Sequence, residues 1–319
     1  MDWREFGQLI RHLRFELSEI EMRKITQEDL DRRCGFPSGT VGRIERGDMR
    51  RLEHEHLVAL ANAFRLTQLE RREFFLAANG VPTEEIYHYP NAPSPEAELE
   101  RLVQGLPDLP YPAVITDVYA DIIYINHMAL QLVGPFDQER LDDFCHYRIV
   151  PNLVYFVFHP AFRFESVFVQ PSEWFHAAVG LVQFFRRSTL NYRTHRYWDF
   201  LMWRFQNDDP RLWANFRLFW IQAEMRQEWD GDTHRRYHIQ HPRLGTLHYM
   251  SMVAEESTAY GPLYILTYLP LDEATRQAFD QLRAAPPEGN PWTRGAPWPE
   301  AEKERFIPPD FERPRRRRM

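Results

Sequence analysis

The chain has only two cysteines, Cys34 and Cys145, and neither belongs to a CxxC pair. This excludes a disulfide framework and a four-cysteine zinc site, and it fits a reducing compartment. Lysine is equally scarce: Lys24 and Lys303 are the only two, so positive charge rests almost wholly on arginine. No apolar run approaches the roughly 20 residues needed to span a bilayer. The first ten residues, MDWREFGQLI, lack the apolar core of a signal peptide. A soluble, cytoplasmic protein with no membrane partner is the expectation. There is also no GxSxG, no glycine-rich phosphate loop and no HExxH, so no enzyme, catalytic residue or cofactor is expected. Cys145 precedes His146 directly, but adjacent side chains seldom meet, and a spare thiol is the simpler reading.

What is present is core-forming material. Of 319 residues, 44% are hydrophobic and 27% charged, enough for two domains that each bury a core. The net charge of -7 means that any nucleic-acid contact must come from a local patch. Residues 1–88 read as short helices. Phe6, Leu9, Ile10, Leu13 and Leu17 share one face of the first. Thr26 caps the second, which ends at Cys34-Gly35, and Pro37 opens a third that runs to Arg46. Two more helices follow, around Leu57 to Phe64 and Arg71 to Asn79. Residues 89–109 read as a proline-stiffened linker and connecting helix. From 110 to 284 come two short strands in AVITDVYADIIYIN, a helix capped by Asn126, several amphipathic helices, and three closing strands. Residues 285–319 are rich in proline and end in four arginines, and read as a disordered tail.

The segment LDRRCGFPSGTVGRIERG places a helix, a glycine turn and a second helix at helix-turn-helix spacing. With Val41, Ile44 and Leu30 turned to the core, Ser38, Gly39, Gly42, Arg43 and Arg46 face outward. On this reading Gly39 and Gly42 let the backbone approach a DNA groove, each costing roughly 1 kcal/mol in helix propensity. Arg43 is left to reach a guanine edge, and Thr40 joins the candidate contact set. ITQEDLDRRCGFPSGTVGRIERG resembles the Cro/repressor-type (XRE family) helix-turn-helix, through Thr26-Gln27, Cys34-Gly35 and Ile44-Glu45-Arg46-Gly47. The resemblance implies that Gln27 bonds a phosphate and that Ser38, Gly39 and Arg43 read bases. Arg46, Arg50 and Arg51 would then hold the DNA backbone. Pro37 departs from the Ser or Thr usual at that position.

The stretches PYPAVITD, YINHMA, LVQFFRR, NFRLFW, HPRLGTLHY and LYILTYLP follow one another between Pro110 and Pro270. With the N-terminal motif, this ordered series resembles the MmyB-like transcription regulators, which join a helix-turn-helix to a PAS-like ligand-binding domain. The implied fold is an all-α N-terminal domain followed by an α+β domain, an antiparallel sheet with inserted helices. The implied function is a homodimeric regulator that binds a double-stranded DNA operator and senses a small hydrophobic, fatty-acid-like effector. Candidate pocket walls are Phe144, Phe156, Phe158, Trp174, Phe184, Trp198, Met202 and Phe219. Arg187, Arg217, His241 and Tyr249 are candidate anchors for a carboxylate. The alternative for the second domain is a dimerisation or partner-binding module with a filled core and no effector. His234, His238 and His241 have helical metal-ligand spacing, but on a strand they do not share a face, so no metal is expected.

Overall fold

The computed structural model describes residues 1–49, 51–79, 91–104, 106, 109–132, 150–225, 236–284, 292–309 and 311. The N-terminal unit is five helices: α1 (Trp3–Ile20), α2 (Gln27–Cys34), α3 (Thr40–Glu45), α4 (His54–Ala63) and α5 (Gln68–Ala77). Asp2, Thr26 and Thr67 start α1, α2 and α5 with reciprocal caps. In each, the cap side chain accepts the N–H of the third helical residue, whose carboxylate accepts the cap N–H in return. The apolar stripe of α1 is buried as its spacing predicts, against Leu30, Val41, Ile44, Leu60 and Phe74. At Gly7 the crossing of α1 and α3 is so close that a Cβ would stand 2.3 Å from the Ile44 carbonyl oxygen. Only glycine fits there.

The second unit is built on a six-stranded antiparallel sheet of order β3-β4-β5-β1-β2-β6. Its strands are β1 (Ala113–Thr116), β2 (Ile122–Asn126), β3 (Arg236–His241), β4 (Gly245–Thr258), β5 (Gly261–Pro270) and β6 (Trp292–Arg294). Helices α6 (Pro95–Gln104), α7 (His127–Leu132), α8 (Leu153–Phe158), α9 (Pro171–Thr189), α10 (Arg196–Asn207), α11 (Pro210–Met225), α12 (Glu273–Arg283) and α13 (Glu300–Lys303) surround it. The central strands alternate between two cores. Ala113, Ile115, Leu263 and Ile265 pack with Leu99 and Val103 of α6, whereas Val114, Tyr264 and Leu266 pack with α8 to α11. Both sheet faces are thus covered, which is why β1 is apolar at successive positions. The Asn126 side chain accepts the N–H of Ala129 (2.8 Å) and of Ala113 (3.0 Å), capping α7 and tying it to β1. No helix among the described residues is long and apolar enough to cross a membrane.

The expectation of a disordered tail from residue 285 fails for residues 292–309. Strand β6 pairs with β2, and Ile307 is buried. Lys303 of α13 is wholly enclosed and meets Asp117 (2.7 Å) and Asp121 beneath β1 and β2. Tyr197 and Asn152 also donate to Asp121, each at 2.7–2.8 Å. Proline content suggested disorder, but a lysine paired with two acids distant in sequence holds the segment in place. Burial and the neighbouring Asp121 push the Asp117 carboxyl up to about 7, against the pull of Lys303. Burial acts to lower the Lys303 value, but the two carboxylates outweigh it and hold the ammonium above its ordinary range.

The two units meet over a charged and apolar interface. Leu190, just after α9, completes the N-terminal core, and Ile20 at the end of α1 packs against the core of the second unit. Between them Glu70 of α5, with no exposure to water, receives Arg186 (2.8 Å) and Arg193 (2.7 Å). Burial alone would raise the Glu70 pKa, yet the two guanidinium groups carry it down to about 2.

Lys303→Met is expected to cost about 3–5 kcal/mol, because it leaves two enclosed carboxylates without their cation. Lys303 holds the Asp117 carboxyl down, so without it that carboxyl rises further. A carboxyl raised in the folded state lends stability at low pH that is lost as the pH climbs, more so in the variant than in the wild type. The penalty should therefore be larger at pH 8 than at pH 5, measured by urea unfolding of both proteins at each pH.

Candidate nucleic-acid interface and aromatic core

The turn between α2 and α3 forms as its residues dictate. Gly35 adopts a left-handed φ of 69° and ends α2. Helix α3 does not begin at Pro37, as the proline suggested, but at Thr40. Its cap is Gly39, at φ 81°, and the carboxylate of Asp31 accepts the N–H groups of Gly39 and Val41, each at 2.8 Å. Asp31 therefore caps the helix from eight and ten residues upstream, a role that no local signal announces. Gly39 is required by its left-handed backbone rather than by an approaching groove.

Gly42 also departs from expectation. It is buried rather than outward, and a Cβ there would stand 3.1 Å from Oε1 of Gln27. Thr40 is likewise buried. Gln27 is drawn inward as well: its amide donates to Glu45 (2.7 Å), which Arg14 also grips at 2.6 Å. Only part of the anticipated DNA set therefore faces outward. Ser38, Gly39, Arg43, Arg46 and Arg51 are exposed, while Arg50 lies outside the described residues. Arg46 leans on Asp48 (2.8 Å). The Arg43 guanidinium has no hydrogen-bond or ion-pair partner among the described residues. It stands on the face of α3 opposite Val41 and Ile44, which are 0% and 3% exposed.

Several of the candidate pocket walls do meet. Phe158, Trp174 and Phe219 form one aromatic group, with centroids of 5.2 Å for Phe158–Phe219 and 5.9 Å for Trp174–Phe219. Phe184 sets its ring edge-on to Tyr264 at 4.9 Å, and Met202 packs at the margin of the same core. Phe156 turns to Phe162, while Trp198 lies nearer the domain interface, against Phe185 and Arg193. Phe144 lies outside the described residues. Two cavities have volumes of about 10 Å³ each, the space of one water. One is lined by Asn152, Tyr155, Tyr197 and Arg204, the other by residues of both domains, including Leu17, Phe64, Arg186 and Trp220.

The four proposed carboxylate anchors do not converge. Arg187 reaches Glu73 (3.4 Å) and Glu255 (3.5 Å), and Arg217 donates to the Ile20 carbonyl at 2.8 Å. Both arginines thus serve the domain boundary. His241 accepts the Arg243 and Leu244 N–H groups on Nδ1, which leaves Nε2 to donate to the Gln131 carbonyl at 3.2 Å. Burial lowers its pKa, so the neutral ring is favoured. Tyr249 stacks on Tyr237 (5.1 Å) in a separate core with Phe279 of α12. His238 pairs with Glu173 at 3.7 Å, and His234 lies outside the described residues. Among the described residues no cluster of histidine, cysteine and acidic side chains is placed to hold a metal.

Sequence reasoning missed Asp31, Glu70, Arg186 and Arg193. Thr67 and Glu70 show the spacing of a capping box, but that spacing carries no hint of two arginines more than 100 residues away.

Comparison with known families supplies the context for these two regions. Residues 5–74 match the family model for a helix-turn-helix domain, which takes in all but the first two residues of α1, the whole of α2 to α4 and most of α5. Residues 95–282 match the model for the MmyB-like transcription regulator ligand binding domain, from the start of α6 almost to the end of α12. Comparison with curated proteins returns no match. Because the second match alone covers more than half of the chain, and the first adds the DNA-binding unit, the chain belongs to the MmyB-like transcription regulators.

Proposed function

We propose that this regulator binds a specific DNA operator as a homodimer and that its second domain senses a small hydrophobic, fatty-acid-like effector. The exposed, unpaired Arg43 on α3 carries the DNA half of this reading. Its side chain can make a bidentate contact to guanine, with Ser38 beside the start of the helix and Arg46 and Arg51 available to phosphates. Two such heads would meet half-sites about 34 Å apart, one turn of the duplex. The family's ligand-binding description and the aromatic group around Trp174 and Phe219 support the effector half. Because that group is closely packed, an effector would enter by parting the helices that carry it. The close packing is also what favours the second reading, a filled-core dimerisation module.

The operator can be obtained by selection from random duplexes. On it, Arg43→Ala should lose about 1–3 kcal/mol of binding and relax one base position, with an unchanged melting temperature. Gly39→Ala should do the reverse. Forcing a side chain into the left-handed region costs about 1–2 kcal/mol of stability, while the folded fraction keeps most of its affinity. Titration on the selected duplex alongside thermal melts separates the two outcomes. For the effector, mass spectrometry of the organic extract of purified protein, against a mock purification, should find a stoichiometric long-chain acid. An empty extract, together with no binding heat across a fatty-acid series, would favour the filled-core module.

A further inference from the structure

Helices α9 and α11 each belong to two places at once. Near its start α9 contributes Trp174 and Phe175 to the aromatic group, and near its end it contributes Arg186 and Arg187 to the domain boundary. Helix α11 supplies Phe216 and Phe219 to the first and Arg217, Trp220 and Glu224 to the second. The boundary itself is closely specified. Arg186 binds Glu70 through Nε and donates to the Trp220 carbonyl at 2.9 Å, and its guanidinium lies 4.7 Å from the centre of that indole. Arg193 joins Glu70 to Glu16 (2.9 Å) and donates to the Arg186 carbonyl at 2.6 Å. Both acids belong to the helix-turn-helix domain and both arginines to the ligand-binding domain. Arg43 is exposed and is bonded to none of these groups, so the interface sets the orientation of α3 without covering it.

We propose that Glu70, gripped by Arg186 and Arg193, is a latch that holds the helix-turn-helix domain at one angle on the ligand-binding domain, and that a shift of α9 against α11 releases it. The second half rests on the effector reading above; the latch itself does not. The rings of Trp174, Phe158 and Phe219 stand 5.2–6.0 Å apart, in mutual contact, so a molecule inserted among them must part them and move α9 relative to α11. Packed cores transmit such displacements rather than absorb them. The far end of α9 holds Arg186, and its Trp220 acceptor stands next to Phe219 on α11, so the displacement reaches Glu70 directly. Hydrogen bonds between ionised groups are directional, so the grip fails over a small movement where an apolar contact would slide. An effector changes DNA affinity to the extent that it prefers the released state.

The test uses the full chain with Glu70→Gln, and with Glu73→Gln and Glu16→Gln as milder variants that leave the central pair intact. Without ligand, wild type should melt in one transition, and Glu70→Gln should separate the helix-turn-helix transition from the other. Hydrogen exchange should quicken across α5 and residues 190–193. With palmitate as the probe, operator affinity of wild type should change by at least about fivefold, within the usual span of allosteric coupling. The change should shrink below twofold in Glu70→Gln that still binds palmitate, with the milder variants in between. If Glu70→Gln does not fold, Arg193→Lys, which keeps the charge but loses the fork that joins Glu70 to Glu16, carries the same comparison. Variants that fold, melt as wild type does and exchange at wild-type rates would overturn the latch. Variants that lose domain coupling yet keep the full palmitate response would overturn its role in release. If palmitate does not bind wild type, the effector reading fails on its own, and melting and exchange still decide the latch.

Discussion

A carboxylate with no access to water cannot remain charged unless other charges answer it. Glu70 meets that constraint with two arginines from the other domain, and the arrangement of the molecule depends on the exchange. The triad is not a strong source of net stability, because desolvation of three ions offsets much of their attraction. What it supplies is a unique geometry. Leu190 and Ile20, each inserted in the opposite domain's core, would tolerate small slips and rotations. The hydrogen bonds from Arg186 and Arg193 do not.

The same solution recurs at two smaller scales. Asp31 fixes the start of α3 by receiving two amide hydrogens, so the DNA-reading helix is positioned by its predecessor as well as by packing. Lys303 fixes the C-terminal segment by bridging Asp117 and Asp121 at the turn between β1 and β2. In each case one polar side chain ties a short element, too small to hold itself by buried area, to a larger one. The outward face of α3 is then left exposed, and the Arg43 donors meet no partner among the described residues.

The aromatic core and the domain boundary share two helices. The rings of the core interlock across α8, α9, α10 and α11, and two of these helices continue to the domain boundary. In the proposed response an occupant parts packed rings, and so moves helices, rather than filling a ready space. Rearrangement of helices, rather than of loops, is what could reach a partner domain at a distance.

The patterns legible in the sequence were those with short range. Apolar spacing in α1, the Thr26 cap, the Gly35 turn and the alternation of the strands all follow from neighbouring residues, and all appear in the structure. The wall aromatics were recognisable as core, though not which of them meet, because helical spacing orients a side chain without naming its neighbour. Gly39, Gly42 and Gln27 were assigned to DNA from their position in the motif. Their conformations instead answer to Asp31 and Glu45, contacts that only the folded chain creates. Arg187 and Arg217 were read as ligand anchors, and the structure sets both at the domain boundary, since an arginine's charge is apparent from sequence but its partner is not. The sequence by itself determined most of the two domains' secondary structure and the family to which they belong, because periodicity, caps and turns are local properties. Tertiary structure alone decided which charges are buried together, and hence the start of α3, the docking of residues 292–309 and the seat of one domain on the other. Those outcomes depend on pairing ions far apart in the chain, and the cost of leaving any of them unpaired exists only once the core has closed around it.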